Sequence, residues 1–242
     1  MSKFYNLFHS KSTIQKKIIS RRNFTYRVLL GLVDEHLDSG IKLLDIGCGA
    51  GTLGFYAASK GCCVVGVDVS SKVISTCKKS AAGLGLSDKV RFKTIDFPKK
   101  LPNGSYDLIF FIEVMEHLED DDIAIAKIYK LLNRNGILIL STPSINAPLH
   151  RWGFAQKFDI KVGHLRRYDI NMLSNMIEKK GFKIIKTKKT EGLLRNFLYY
   201  NSYAGKIIRF IKYFFSDVVT FIDNLLISIF GESNIVIVAK KI

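Results

Sequence analysis

The stretch KLLDIGCGAGTLG, Lys42 to Gly54, carries two glycine fingerprints at once. Counted from Gly47 it spells G-x-G-x-G, through Gly49 and Gly51. Counted from Gly49 it spells G-x-G-x-x-G, ending at Gly54. A short unbroken apolar run precedes the glycines, as in a central parallel strand, and a helical pattern from Ala50 to Lys60 follows. Glycines at such a turn let the backbone bend tightly and let a ligand approach it closely. A dinucleotide's pyrophosphate would rest on the N-terminus of that helix. Asp45 argues for another ligand. It stands two residues before Gly47, at the carboxyl end of the strand, where it would repel a pyrophosphate and attract a cation.

Outward from this loop, strands and helices alternate. Strands are expected at 41–47, 62–70, 89–97, 106–114, 136–144, 182–190 and 234–242. Helices are expected at Ala50–Lys60, at Ser71–Ala82 with Ser70 or Ser71 as cap, at Asp120–Leu132 with acids in its first turn, and at Asp169–Lys180, stopped by Gly181. Residues 145–168 read as irregular. The pattern is that of an α/β protein with a doubly wound, mostly parallel sheet, one domain over 1–242. Residues 1–38 read as a basic segment, helical from about 12. Residues 192–232 fall outside the alternation, an apolar helical insertion between the last two strands.

Two further acids extend the argument from Asp45. Asp68 closes the second strand in VVGVD, where a carboxylate suits a ribose diol, and Asp96 ends the third, within reach of an adenine amino group. A cationic ligand carrying adenosine is S-adenosylmethionine. The set LLDIGCGAG, VVGVDVS, IDF, YDLIFFIEVMEHL and LLNRNGILILSTPS resembles the class I S-adenosylmethionine-dependent methyltransferases over roughly residues 20–190 plus the last strand. The resemblance implies a Rossmann-like seven-stranded sheet whose last strand runs antiparallel between its neighbours. It also implies that the Gly47–Gly51 loop cradles the methionine portion, that Asp68 holds the ribose, and that Asp96 and Phe97 face the adenine.

The acceptor side has two candidate stretches. In EVMEH, the residues Glu113, Glu116 and His117 share one face if the turn is helical. Two carboxylates and an imidazole could then hold Mg²⁺ beside the reacting methyl. The spacing E-x-x-E-H resembles the ubiquinone-biosynthesis O-methyltransferases and the methyltransferase type 11 group, where that trio is a metal site. That resemblance also implies that Arg27 reaches the cofactor carboxylate and that Ile112 lies against the cofactor. In VGHLRRYD, His164 is the first candidate for a general base, with His117 the second, because imidazole titrates near working pH. The family's aromatic after this histidine is replaced by Leu165-Arg166-Arg167, and the two arginines could grip an anionic acceptor.

Composition bounds the partners. The chain has 242 residues, a formal net charge of +16 and a mean hydropathy of +0.13. Seven cations precede the first acid, Asp34, among them Lys16, Lys17, Arg21 and Arg22. In the insertion, Ile207, Ile208, Ile211, Phe214, Phe215, Val218, Val219, Ile222, Leu225, Leu226 and Ile229 form a helical stripe flanked by Lys206, Arg209 and Lys212. Asp217 and Asp223 interrupt it, so a spanning helix is not expected. The combination suits reversible contact with an anionic membrane surface. Four cysteines without paired C-x-x-C motifs suggest reduced thiols in the cytoplasm, with Cys48 a small filler in the loop. No appended RNA-binding motif accompanies the charge, so a nucleic-acid partner is not expected. The expected activity is O-methylation of a lipophilic or lipid-linked small molecule. Alternatives are a methyltransferase of cell-envelope saccharides or glycolipids, and a catalytically silent docking module of the same fold.

Overall fold

The central strand sequences are apolar on both faces, a pattern that requires helices above and below the sheet, whereas the edge strands VRFKT (90–94) and FKIIKTKKT (182–190) are largely polar. The computed structural model describes residues 13–200 and 216–242. Its strands are β1 (Lys42–Ile46), β2 (Cys63–Asp68), β3 (Val90–Thr94), β4 (Tyr106–Ile112), β5 (Leu132–Pro143), β6 (Phe182–Thr190) and β7 (Asn234–Lys241). They form one sheet in the order β3-β2-β1-β4-β5-β7-β6. The first five are parallel, and β7 lies antiparallel between β5 and β6. Leu43, Val64, Leu108 and Phe110 pack against α1 (Arg27–Val33), α2 (Thr52–Ser59) and α3 (Ser71–Gly83). Leu44, Ile46, Ile109 and Phe111 face the opposite way, onto α4 (Asp121–Leu131) and, beyond two short helices, α7 (Ile170–Glu178). The caps follow the sequence signals. Ser70 Oγ accepts from Val73 N at 3.3 Å, and Asp169 Oδ1 accepts from Asn171 N and Met172 N at 2.9 and 2.8 Å.

Three expectations change. The segment over 13–38 is not one helix: only α1 and a 3-10 turn at Asp34–His36 are helical, and 13–26 is irregular. Its Ile14 and Ile18 are exposed and offer no continuous apolar stripe to bury, so packing gives that stretch no reason to coil. Instead it crosses the glycine loop, where Gln15 Nε2 donates to Ala50 O and Thr52 Oγ1 at 3.1 and 2.6 Å. The fifth strand starts at Leu132 rather than 136, because Asn133–Gly136 forms a bulged strand entry with Asn135 at φ 63° instead of a turn. The region 145–168 contains two short helices, α5 (Pro148–Arg151) and α6 (Gln156–Val162). Both are too short to show a period, and glycines at 153 and 163 end them.

The insertion forms α8 (Leu193–Tyr200) and α9 (Ser216–Phe230), packed on each other. The part of the stripe from Ile207 to Phe215, with Lys206, Arg209 and Lys212, lies outside the described residues. On α9 the stripe does not pack on the sheet. Its Val218, Ile222, Leu225 and Ile229 are 42–71% exposed, as is Phe221 off the stripe, while Val219 and Leu226 are partly buried, Val219 against Phe24 and Leu198, and the buried positions are Thr220 and Asp223. Asp223 is no mere interruption: its two oxygens accept from Gly192 N at 2.7 Å and Arg195 N at 3.0 Å, capping the start of α8 from the neighbouring helix. The approach is so close that a Cβ on Gly192 would fall 2.4 Å from Asp223 O. At the far end of α9, the Trp152 ring meets Phe230 edge-on at 6.2 Å. Among the described residues no helix is long and apolar enough to cross a membrane.

Asp223 therefore strapping α9 to α8, Asp223→Ala should lower unfolding stability by about 2 kcal/mol, the scale of a lost charged cap with two buried donors. Asp223→Asn, which keeps one acceptor oxygen, should lose less. Urea denaturation checks both; a wild-type midpoint for Asp223→Ala would show the strap to be idle.

Candidate active site

The sheet order reverses between β1 and β4, and loops there leave in opposite directions, opening a crevice at the carboxyl edge. A cavity of about 660 Å³ occupies it. Asp45, Gly47, Gly49, Asp68, Asp96, Phe97, Ile112, Glu113, Glu116, His117 and His164 all line this cavity, as expected from the sequence. Gly51 does not; it sits behind, at the N-cap of α2 with φ 77°.

On the β1–β3 side, backbone hydrogen bonds fix the loop. Gly47 N and Cys48 N donate to Val67 O at 2.8 and 3.0 Å. Gly47 has φ 69°, and a Cβ there would meet Val114 Cγ2 at 2.3 Å, so no side chain fits. Asp68 accepts from Gly49 N at 3.1 Å and Ser70 N at 2.9 Å, which aims its carboxylate along the crevice with acceptor capacity left. Asp45 is buried, and burial followed by the Asp68 charge pushes it up to about 7, against the Gly54 amide that favours the ionised form. Asp96 is partly exposed beside Lys99, and Phe97 packs edge-on to Phe111. Tyr26 lines the same side, its hydroxyl bonded to Thr52. No motif flagged it, because it lies outside the strand–turn–helix pattern.

Arg27 is not on the cavity wall; its guanidinium pairs with Asp217 at the start of α9. Of the two arginines expected to grip an acceptor, Arg167 lines the cavity and Arg166 does not, and both are paired with carboxylates. Arg166 binds Asp121 Oδ2 at 2.9 Å and Glu119 O at 3.0 Å. Arg167 donates from Nε and Nη2 to Asp159 at 2.9 and 2.6 Å, and from Nη1 to Ser144 O.

On the β4–β5 side the E-x-x-E-H trio does not converge. Glu113 adopts φ 55° and turns to Ser141 Oγ at 2.6 Å and Asn234 Nδ2 at 2.7 Å. Glu113 lies ahead of the short 3-10 turn Met115–His117, and its own left-handed φ turns it away from Glu116 and His117. His164 replaces it: single ligand atoms of Glu116, His117 and His164 lie within 4.8 Å of one another. Glu116 is fully buried, its Oε2 accepting from Thr142 Oγ1 at 3.1 Å. Its Oε1 has no hydrogen-bond partner among the described residues and stands 3.9 Å from Nε2 of both histidines. Burial and then the Glu113 charge hold Glu116 well above the usual carboxylate range. His117 Nδ1 lies 3.0 Å from Gly163 O and His164 Nδ1 lies 3.0 Å from Asp159 Oδ1. Both partners can only accept, so each neutral ring carries its proton on Nδ1 and directs a basic Nε2 toward Glu116. Burial alone would raise Asp159, but the bonds from His164 and Arg167 hold it below its ordinary value. Sequence reading missed Asp159, which sits on α6 five residues before His164, in the stretch that showed no period.

The Asp45 shift sets a sign for stability. Between about pH 4 and 7 the folded chain retains a proton that the unfolded chain, titrating near 3.8, has released. Stability of the ligand-free protein therefore falls as pH rises through that window. Thermal melts at pH 5 and 7.5 should show this fall, with a smaller fall in Asp45→Asn; equal falls would place Asp45 at an ordinary value.

Comparison with known proteins agrees with this geometry. The profile of a family described as a methyltransferase domain matches residues 37–189. The ubiquinone biosynthesis O-methyltransferase of Pelagibacter ubique is 37% identical over 115 residues, 48% of this chain and 46% of that protein. The chain thus aligns with about half the length of the curated relatives it matches. Among solved structures, magnesium protoporphyrin IX methyltransferase from Synechocystis PCC 6803 with bound SAH superposes with a TM-score of 0.61 at 20% identity, covering 90% of this chain and 82% of that one. Phosphoethanolamine N-methyltransferase 2 of Haemonchus contortus, in complex with S-adenosyl-L-methionine, gives 0.69 at 17% identity over 99% and 56%. These last two establish shared architecture. With the profile covering most of the sheet and the crevice where its topology requires it, the chain belongs to the methyltransferase-domain family, in the class I fold of S-adenosylmethionine-dependent enzymes.

Proposed function

We propose that the chain is an S-adenosylmethionine-dependent O-methyltransferase acting on a lipophilic or lipid-linked small molecule. The observation that carries it is the Arg167–Asp159–His164 relay, which ends with a basic Nε2 on the cavity wall. In this reading Asp68 takes the ribose hydroxyls, Asp96 and Phe97 take the adenine, and Asp45 faces the methionine ammonium. Ile112 lies against the cofactor. The acceptor hydroxyl gives its proton to His164 Nε2 as its oxygen attacks the methyl carbon; the carbon–sulfur bond breaks and S-adenosylhomocysteine leaves. Asp159 holds the imidazole tautomer and stabilises the imidazolium. Oxygen as the acceptor atom is supported by the printed names of the curated relatives.

A second reading of the same cluster is favoured by the unpartnered Glu116 Oε1. Glu116, His117 and His164 offer one carboxylate and two imidazoles, with Asp159 and the Gly163 carbonyl orienting the rings from behind, the usual support for metal-bound histidine. This donor set suits a first-row transition metal better than Mg²⁺, which prefers oxygen. When bound, such an ion would polarise the acceptor oxygen. Glu113 is no ligand in this arrangement.

The tests follow. Labelled S-adenosylmethionine, incubated with lipid and aqueous cell extracts, should label the lipid fraction. His164→Gln should slow turnover by roughly 100-fold or more, the scale of a lost general base, while leaving S-adenosylhomocysteine affinity unchanged. Chelation followed by desalting separates the readings: full activity supports His164 as base, and loss restored by a divalent ion supports the metal.

We further propose that the exposed face of α9, with the basic N-terminal residues, rests on an anionic membrane. Two weak attractions, apolar and electrostatic, suffice for reversible binding. Liposomes containing anionic lipid should float the protein at low salt, and Phe221→Ser with Ile229→Ser should reduce the floated fraction. Recovery in the aqueous phase whatever the lipid would leave the insertion as a lid alone.

A further inference from the structure

Six buried side-chain polar atoms have no hydrogen-bond partner among the described residues; besides Glu116 Oε1 and His150 Nδ1, the other four belong to two consecutive pairs: Arg195 Nε, Asn196 Oδ1, Ser233 Oγ and Asn234 Oδ1. All four residues line the cavity. Buried polar atoms without partners are rare in folded proteins, and four on one wall call for an explanation. The wall is built, not loose. Ser233 N donates to Glu191 O at 2.6 Å, which joins the entry of β7 to the entry of α8. Arg195 is 1% exposed, its Nη2 donating to Phe24 O at 3.0 Å and Thr25 O at 3.1 Å, its guanidinium 4.9 Å from the Phe24 ring. Asn234 Nδ2 donates to Glu113, which fixes the amide orientation and makes its Oδ1 an acceptor. The wall is carried by the entry of β7 and by α8, whereas Asp45, Asp68 and Asp96 stand on and after β1 to β3, across β4 and β5 in the sheet order; Arg195 reaches from it to the carbonyls of Phe24 and Thr25.

The chemistry of these atoms selects the ligand. Arg195 Nε donates, Asn234 Oδ1 accepts, the Ser233 hydroxyl does both, and the Asn196 amide presents an acceptor with a donor beside it. A carboxylate or phosphate would satisfy Arg195 but face two amide oxygens, with the carboxylates of Glu113 and Glu191 beside them. An ammonium would satisfy the oxygens but leave Arg195 Nε, itself a donor, unpaired, while the Arg195 charge is already met by Glu191 Oε1, 3.4 Å from Nη2. Hydroxyl groups, each donating and accepting, satisfy all four. We propose that this wall is the acceptor subsite for a neutral polyhydroxylated head group, a glycosyl or polyol unit. The proposal rests on the methyltransferase reading and gives its acceptor a chemical class: a lipid tail joined to an uncharged polyol.

The test holds the tail constant and varies the head. Protein saturated with S-adenosylhomocysteine is titrated calorimetrically with octyl glucoside, below its micelle concentration, and with octanoate. Octyl glucoside should bind at least tenfold tighter. The double variant Asn196→Ala, Ser233→Ala removes two oxygens that have no partner among the described residues, so it should melt at or above the wild-type temperature. It should bind octyl glucoside about tenfold more weakly, the combined effect of lost neutral hydrogen bonds, with octanoate and S-adenosylhomocysteine unchanged. Octanoate binding as tightly as the glucoside would overturn the proposal in favour of an anionic head. Unchanged glucoside affinity in the variant would overturn it outright. A fall in S-adenosylhomocysteine affinity in the variant would assign the wall to the cofactor. Failure of the wild type to bind S-adenosylhomocysteine would overturn the methyltransferase reading itself, a separate result.

Discussion

Carboxylates gathered out of water at the carboxyl edge of a parallel sheet resist ionisation, and much of this structure answers that constraint. Asp68 is satisfied by two backbone amides. Glu113 leans on Ser141 and Asn234. Asp159 is clamped by Arg167 and by His164. Asp45, Glu116 and Glu191 are less fully compensated, and burial raises all three, Asp45 and Glu191 to about 7. Ion-poor sites of this kind gain most from a ligand that brings positive charge or hydrogen-bond donors. The three less compensated acids stand at three places along the crevice, at the end of β1, after β4 and after β6, so the crevice as a whole favours an extended ligand pair over a single compact ion.

The division of labour follows the topology. In the proposed reading, strands β1 to β3 supply the cofactor side through loop residues fixed by main-chain bonds. Strands β4 to β7 and the insertion supply the other side through side chains on turns and short helices. Within that second side Asp223 caps α8 from α9 and so positions Arg195 and Asn196. Arg195 in turn reaches the carbonyls of Phe24 and Thr25, next to Tyr26 on the cavity wall. The cap and the segment leading into α1 thus hold each other across the mouth of the crevice.

The legibility of the sequence tracks how local each signal is. The strand positions and the placement of Asp45, Asp68 and Asp96 follow from apolar runs ending in an acid, a pattern contained within a few residues, while the antiparallel last strand came from the family resemblance. The Ser70 and Asp169 caps are equally local. The misplacement of Glu113 came from assuming an α-helical turn where the chain makes a 3-10 turn after a residue at positive φ. The partners of Arg27, Arg166 and Arg167 were not legible, because an arginine's partner is decided by what folds next to it, here Asp217, Asp121 and Asp159. Asp223 looked like an interruption of an apolar stripe, and its two acceptor bonds run to residues about thirty positions away. The stripe faced outward for the same reason: Asp223 had already claimed the inward face of α9.

The contact between Trp152 and Phe230 has a practical consequence. Trp152 is the single tryptophan of the chain, half exposed, on the loop after α5, and its ring meets the last residue of α9. The indole therefore straddles the seam between the insertion and the β5–α6 region that carries His164. Its emission wavelength and lifetime report the hydration of that seam with no added label. The protein carries its own optical gauge of whether the insertion rides with the body or swings apart from it.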